Sequence, residues 1–308
     1  MVAASSANPK VVPIDVRGAL REGMARLAQG KTPSDALAAE LLLMHVLCRD
    51  RAWVYAHPEE MIAPAAAVEY FALVARRAAG EPTQYLTGKQ EFWGLDFEVT
   101  RAVLIPRPET EHVIEVALER LKGRRRRADG AASGAGPLRV ADVGTGSGCI
   151  SVALARELPQ AEIFATDISE PALEVARRNA QRHGFLGRIH FFRTNLLDAF
   201  LHQEQKFDLV VSNPPYVGWR EAGELAREVR DHEPHGALFG GETGSEVYGQ
   251  LVDQAARVLA PGGILVMELG YDSAEHVRGI FERDVRWRNV AVTMDLAGIE
   301  RVLAAELS

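Results

Sequence analysis

From Leu138 to the C-terminus, short apolar runs alternate with longer stretches of helical period. The runs fall at 138–143, 162–166, 188–193, 207–211 and 264–269, and two more near 290–294 and 300–304 follow. A helical stretch at 245–259 stops at Pro261-Gly262-Gly263. Strands and helices in this alternation bury their apolar faces as a mainly parallel sheet with helices on both sides. The expected architecture is therefore α/β, with a seven-stranded, Rossmann-like sheet. Ligands of such sheets bind beyond the carboxyl ends of the strands, where the strand order reverses. The residues just after each run are thus the ones to read for chemistry.

After the first run comes Asp142-Val143-Gly144-Thr145-Gly146-Ser147-Gly148. Glycines here let the chain bend sharply and let a ligand approach the backbone. A dinucleotide loop has the spacing G-x-G-x-x-G/A, but the sixth position counted from Gly144 is Cys149. The acid Asp142 would also serve a pyrophosphate badly. It suits a ligand carrying an ammonium and a sulfonium, as S-adenosyl-L-methionine does. The second run ends at Asp167, about 20 residues on, where an acid accepts ribose hydroxyls. Ser169 and Pro171 also make Asp167 a candidate helix cap. After the third run, Asn195 is placed to meet the edge of an adenine, with Leu196 and Ile168 against its faces.

The fourth run ends in Asn213-Pro214-Pro215-Tyr216. A residue before proline is held extended, and prolines offer no N–H. This loop therefore presents acceptors, the Asn213 side-chain oxygen and the Pro214 carbonyl. Two convergent acceptors match a planar NH2 group, and Tyr216 adds a flat wall. The group could belong to an amide or to a nucleobase. Together with the glycine loop, the reading is a methyltransferase.

Residues 14 to about 80 carry helical period only. Thr32 reads as an N-cap with Pro33 in the first turn, and Leu37, Leu41, Leu42, Met44 and Val46 follow as core. Pro64 opens a second helix, with Val68, Phe71, Leu73 and Val74 as core, and Gly80 with Pro82 stops it. Leu95, Phe97 and Val99 then alternate with acids after Trp93-Gly94, which reads as a hairpin. Pro108 starts a further helix through Leu118. Arg124 to Arg127 and the Ala/Gly/Ser stretch to Gly136 read as a solvated loop rather than an RNA contact.

Composition narrows the partners. The chain of 308 residues has a formal net charge of −7, which argues against a broad nucleic-acid surface. Its two cysteines, Cys48 and Cys149, provide neither a disulfide framework nor a metal cluster. No metal, no membrane span and no signal peptide are expected, so the site of action is read as cytoplasmic.

Several stretches resemble the PrmC/HemK family. They are Gln84-Tyr85-Leu86-Thr87-Gly88, Phe92-Trp93-Gly94-Leu95-Asp96-Phe97 and Leu104-Ile105-Pro106-Arg107-Pro108-Glu109-Thr110-Glu111. The Asp142–Gly148 loop, Val211–Tyr216, Glu228-Val229, Glu233-Pro234 and Ala237-Leu238 continue the match. The proline-rich stretch before Glu111 is the most specific, since DNA amine methyltransferases share Asn-Pro-Pro-Tyr but not that stretch. Gly244-Ser245 and Gly298-Ile299-Glu300-Arg301 depart from the family's Gly-Leu and Gly-Arg-Asp-Arg, and 123–136 looks like an insertion.

The resemblance implies a class I methyltransferase domain at 109–308, a β-hairpin linker at 83–108 and an N-terminal helical-bundle domain at 1–82 that docks the substrate. It implies S-adenosyl-L-methionine as cofactor and peptide chain release factors as substrate, methylated at a glutamine N5 by a monomer. Asn213, Pro214, Pro215 and Tyr216 would be catalytic. Asp142, Gly144, Thr145, Gly146, Ser147, Gly148, Asp167, Ile168, Asn195, Leu196 and Asn213 would bind the cofactor. A ribosomal-protein glutamine, an adenine or guanine amine, or a scaffold with a dead site are the competing readings.

Overall fold

The computed structural model describes residues 13–128 and 137–308. The chain divides into two compact units. One runs to Gly88 and includes Arg227–His232; the other comprises Lys89–Ala226 and Glu233–Ser308.

The first unit is helical: α1 Val16–Gln29, α2 Asp35–Leu47, α3 Arg51–Ala56, α4 Pro64–Ala78 and α5 Thr83–Thr87. Asp15 caps α1 by accepting the Gly18 N–H at 2.7 Å, filling an orphan donor of the first turn. Leu27, Leu42, Leu43, Tyr70 and Val74 form its core. Gly23 makes room for the Tyr70 ring, since any Cβ there would overlap the phenol. Arg77 reaches Glu228 at 2.6 Å, which secures the 227–232 segment within this unit.

Two expectations fail in the first unit. α2 is capped by Ser34, not Thr32, and Ser34 sits at φ +52 with no side-chain cap bond. The Asp35 carboxylate accepts the Ala36 N–H instead. Leu37, Leu41 and Val68 are exposed rather than core, because the apolar residues of α2 and α4 extend beyond the stripe that packs inward.

The second unit opens with a hairpin, β1 Lys89–Phe92 and β2 Leu95–Glu98. Trp93 and Gly94 turn it at φ +55 and +68, the pair of positive values a two-residue turn needs. Trp93 accepts that conformation because Glu111 takes its N–H at 2.7 Å and Glu157 its indole N–H at 3.0 Å. A 3-10 turn at Pro108–Thr110 leads into α6 Glu111–Ala128.

Arg124–Arg127 are therefore the end of a helix, not a loop; arginine is a good helix former and the helix simply continues through Gly123. The rest of that expected loop, 129–136, lies outside the described residues.

The alternating elements follow as β3 Leu138–Val143, α7 Cys149–Glu157, β4 Ala161–Asp167, α8 Glu170–Arg182, β5 Ile189–Arg193 and β6 Phe207–Ser212. Then come β7 Val217–Gly218, α9 Arg227–His232, α10 His235–Leu238 and β8 Phe239–Gly241. The last are α11 Glu246–Val258, β9 Leu259–Glu268, α12 Ala274–Glu282, β10 Trp287–Met294 and β11 Glu300–Leu307.

Seven strands form one sheet in the order β10-β11-β9-β6-β3-β4-β5, antiparallel only where β11 meets β9 and β10. Pro261-Gly262-Gly263 does not end before the strand; it lies inside β9, where the register with β6 shifts and Gly262 takes φ +73. Side chains alternate between two cores as strand geometry demands. Leu209 and Val211 face the cluster under α6 and α7, whereas Val210 faces the one under α11 and α12. The strand order reverses between β3 and β6, so four parallel strand ends (β6, β3, β4 and β5) lie side by side.

Candidate active site

The loop after β3 is built around one carboxylate. Asp142 is fully buried; its Oδ2 accepts from Thr145 Oγ1 at 2.7 Å and Ser151 Oγ at 2.6 Å. Its Oδ1 is equally buried and has no partner among the described residues. Burial pushes this carboxyl up to about 6, and the two hydroxyls hold it from rising further. An orphaned buried acceptor of this kind is what an ammonium donor completes. The residues present thus fit an amino-acid-bearing cofactor such as S-adenosylmethionine.

The glycines divide their work. Gly144 and Gly146 take φ +72 and +56, and a Cβ on Gly144 would meet nothing within 4 Å. Their need is conformational, and one side of the loop stays open. Gly148, at φ +81, instead lies 3.1 Å from Ala176 when given a Cβ, so it lets α7 and α8 pack. The Gly144 and Thr145 N–H groups both donate to the Thr166 carbonyl, at 2.9 and 2.8 Å, tying the loop to β4. Ser147 is buried and its carbonyl accepts from Asn179 at 2.9 Å. Asn179 also exchanges both side-chain bonds with the Glu98 backbone, joining hairpin and loop.

Asp167, at the end of β4, is half-buried. Its oxygens accept the N–H groups of Gly146 at 3.0 Å and Ser169 at 2.9 Å. Burial moves its carboxyl up, against those backbone bonds. Beside it Ile168, a large apolar side chain, stands 65% exposed. Asn195 is exposed after β5, and Leu196 takes φ +46 while packing on the second core. Thr194 N–H donates to the Asp167 carbonyl at 3.1 Å, so these two strand ends are tied as well.

The loop after β6 is held by distant residues. Ser212 Oγ donates to the Val143 carbonyl at 2.8 Å, fixing this strand end to that of β3. Asn213 Nδ2 donates to Thr110 Oγ1 at 3.0 Å, and Thr110 Oγ1 donates to Glu268 Oε2 at 2.6 Å. Among the described residues no donor reaches Asn213 Oδ1, nor does a backbone N–H reach the Pro214 carbonyl. Both acceptors are therefore unpaired, the Asn213 oxygen on a partly exposed residue and the Pro214 carbonyl on a buried one.

Close backbone packing fixes the rest of the loop. A Cβ on Gly240 would overlap the Pro215 carbonyl, and one on Gly244, at φ +84, the Tyr216 carbonyl. A Cβ on Gly270 would come within 2.8 Å of the Tyr216 ring. Burial, then Glu268, pushes the Tyr216 phenol up to about 12, so it stays protonated. Glu233, itself buried, accepts the Ile105 N–H at 3.1 Å and pairs with Arg107, which anchors the proline-rich stretch preceding Thr110.

All four expected groups, the glycine loop, Asp167, Asn195 and Asn213, thus lie at neighbouring strand ends. The sequence does not mark Thr110, Glu268, Gly240 or Gly270 as site residues, and Gly244 stands out only as part of Gly244-Ser245. Thr110 lies inside the proline-rich stretch that reads as a helix start and carries the family resemblance, with no role of its own assigned there. The others sit in apolar or turn segments without any local mark of a site.

A fold of this topology with these strand-end residues defines a class I, S-adenosylmethionine-dependent methyltransferase. Residues 18–88 match the PrmC N-terminal domain and residues 136–294 a methyltransferase domain. The release factor glutamine methyltransferase of Koribacter versatilis is 45% identical over 94% of this chain and 97% of its own. That of Nitratidesulfovibrio vulgaris is 41% identical over 94% of each. In structure, the hMettl16 catalytic domain, solved with an RNA hairpin, covers 80% of this chain and 84% of its own with a TM-score of 0.53. At 16% identity it speaks for the fold alone. The chain belongs to the release factor glutamine methyltransferase family, the PrmC/HemK enzymes.

Proposed function

We propose that this enzyme methylates the N5 of the glutamine in the Gly-Gly-Gln motif of peptide chain release factors. The observation that carries the reading is Asn213 at the end of β6, with its Nδ2 taken by Thr110 and its Oδ1 free. A carboxamide nitrogen is a poor nucleophile, because its lone pair is delocalised into the carbonyl. Asn213 Oδ1 and the Pro214 carbonyl accept its two N–H groups and turn the lone pair toward the methyl donor. Tyr216 packs on the flat amide. When bound, S-adenosylmethionine supplies the electrophilic methyl. Asp142 would hold its ammonium, Asp167 its ribose, and Ile168, Asn195 and Leu196 its adenine. Orientation of this sort supplies up to ~7–11 kcal/mol in well-arranged reactions. Acceptors on the N–H groups also favour the charge that develops on nitrogen.

The N-terminal helical unit docks the protein substrate on this reading, and exposed Leu37 and Leu41, one turn apart on α2, support it. The enzyme acts as a monomer in the cytoplasm and without nucleic acid. No helix among the described residues is long and apolar enough to cross a membrane. Incubation with methyl-labelled S-adenosylmethionine and a release factor, followed by peptide mapping, puts the label on the Gly-Gly-Gln glutamine. Label elsewhere, or on a ribosomal protein only, overturns the substrate. Leu41→Asp raises KM for the release factor and leaves kcat in place; an unchanged KM removes the docking role from α2.

A further inference from the structure

An asparagine amide has two faces of opposite character, and only the oxygen can accept an N–H. Something must decide which face meets the substrate. Thr110 and Glu268 stand where that decision is made. The Thr110 hydroxyl has one proton, and at 2.6 Å it goes to Glu268 Oε2. Thr110 Oγ1 is then left as an acceptor, and Asn213 can satisfy it only through Nδ2, at 3.0 Å. The chain of bonds has one direction, carboxylate to hydroxyl to amide, and it ends with Oδ1 turned away from Thr110. We propose that Thr110 and Glu268 are positioning residues that set the polarity of the Asn213 amide for the substrate NH2. This rests on the reading of Asn213 as the substrate acceptor and adds what makes it one.

The polarity depends on the charge of Glu268. As a carboxylate it only accepts. Once protonated by solvent it can donate to Thr110 Oγ1, whose own proton then turns to Asn213. The amide must answer with Oδ1, presenting its NH2 to the substrate NH2, donor against donor. Glu268 is 1% exposed, and burial pushes it up to about 7. The charged groups around it are Arg301 of β11 and Arg107, which favour the carboxylate, and Glu109 of the 3-10 turn, which opposes it. Arg301 is shared with Asp295 at 3.2 Å and Arg107 with Glu233, which dilutes their pull. Tyr216 and Tyr248 stay neutral; Tyr248 donates to the Glu268 backbone carbonyl at 3.2 Å and takes no part in the relay.

The test is a set of four variants of the full chain, assayed with a release factor and followed by calorimetry with S-adenosylmethionine. Thr110→Val keeps the shape and deletes the hydroxyl; kcat falls roughly 30-fold while cofactor affinity holds. Thr110→Ser restores the relay and returns kcat to within about threefold of wild type. Wild-type kcat declines as pH falls below about 7, and Glu268→Gln removes that acid limb and lowers the plateau. A 13C titration of labelled glutamate carboxyls follows Glu268 through the same midpoint, independent of turnover.

The proposal is overturned by a Thr110→Val enzyme at wild-type kcat, by Thr110→Ser as slow as Thr110→Val, or by an acid limb that survives Glu268→Gln. Asn213→Ala separates the two levels. If it keeps its turnover, the acceptor reading itself is wrong. If it is inactive while Thr110→Val is not, only the relay fails.

Discussion

The two loops at the carboxyl edge of the sheet reach the same rigidity by different routes. The glycine loop is held from close by. Asp142 takes Thr145 and Ser151, three and nine residues on, and the loop backbone leans on the adjacent β4. The Asn-Pro-Pro-Tyr loop is held from far away, by Thr110, which is 103 residues distant, and by Gly240, Gly244 and Gly270. On the roles proposed above, a cofactor common to many enzymes is served by a local motif. A clamp for one amide needs its acceptor aimed, and that takes supports from several elements.

This contrast can be broken by substitution. The largest effect belongs to Asn213→Ala: kcat falls about 1000-fold, as when an oriented polar group is lost at a reacting centre. Calorimetry should find S-adenosylmethionine binding within a few-fold of wild type, since Asp142 and Asp167, the groups proposed to hold its ammonium and ribose, are unchanged. Binding lost with turnover kept would reverse the roles of the two loops.

Gly240→Ala comes next. Its methyl overlaps the Pro215 carbonyl, so the loop shifts and kcat/KM for the protein substrate drops about 100-fold. Cofactor affinity stays within about twofold, since the atoms a Cβ there would meet first, those of Pro215 and Gly244, lie outside the glycine loop. A parallel loss of both would mean the loops move as one body.

Asp142→Asn gives the smallest of the three. Cofactor Kd rises about 30-fold, or about 2 kcal/mol, as a charge-assisted bond is lost. The empty enzyme behaves the other way. The Asp142 carboxyl is raised in the fold from 3.8 to about 6, so its contribution to stability is present below about 4 and lost as pH rises through 6. Thermal melts from acid to pH 8 should show the wild type losing stability relative to Asp142→Asn across that window. Identical pH profiles would mean that the orphaned carboxylate carries no strain.

Much of the methyltransferase domain was legible because its signals are local. Periodicity placed the strands, and the residue after each strand marked the edge where a ligand binds. The helical unit was legible in type but less in burial. Leu37, Leu41 and Val68 carry the same apolar chemistry as Leu42 and Leu43, and only packing says which of them is inside. Arg124–Arg127 failed for a related reason, since a run of like charges can be a loop or a helix end, and helix propensity prevailed.

By itself the sequence determined the elements, their alternation, the glycine turn and the acceptor-rich Asn-Pro-Pro-Tyr loop, all consequences of φ preferences and spacing along the chain. It also placed the chain near its family through the proline-rich stretch at 104–111. Only the tertiary structure decided which buried carboxylate oxygen is left unpaired and which way the Asn213 amide faces. Those are questions of direction between groups far apart in sequence. Hydrogen-bond polarity is settled by the partner, and here the partners, Thr110 and Glu268, are 158 residues apart.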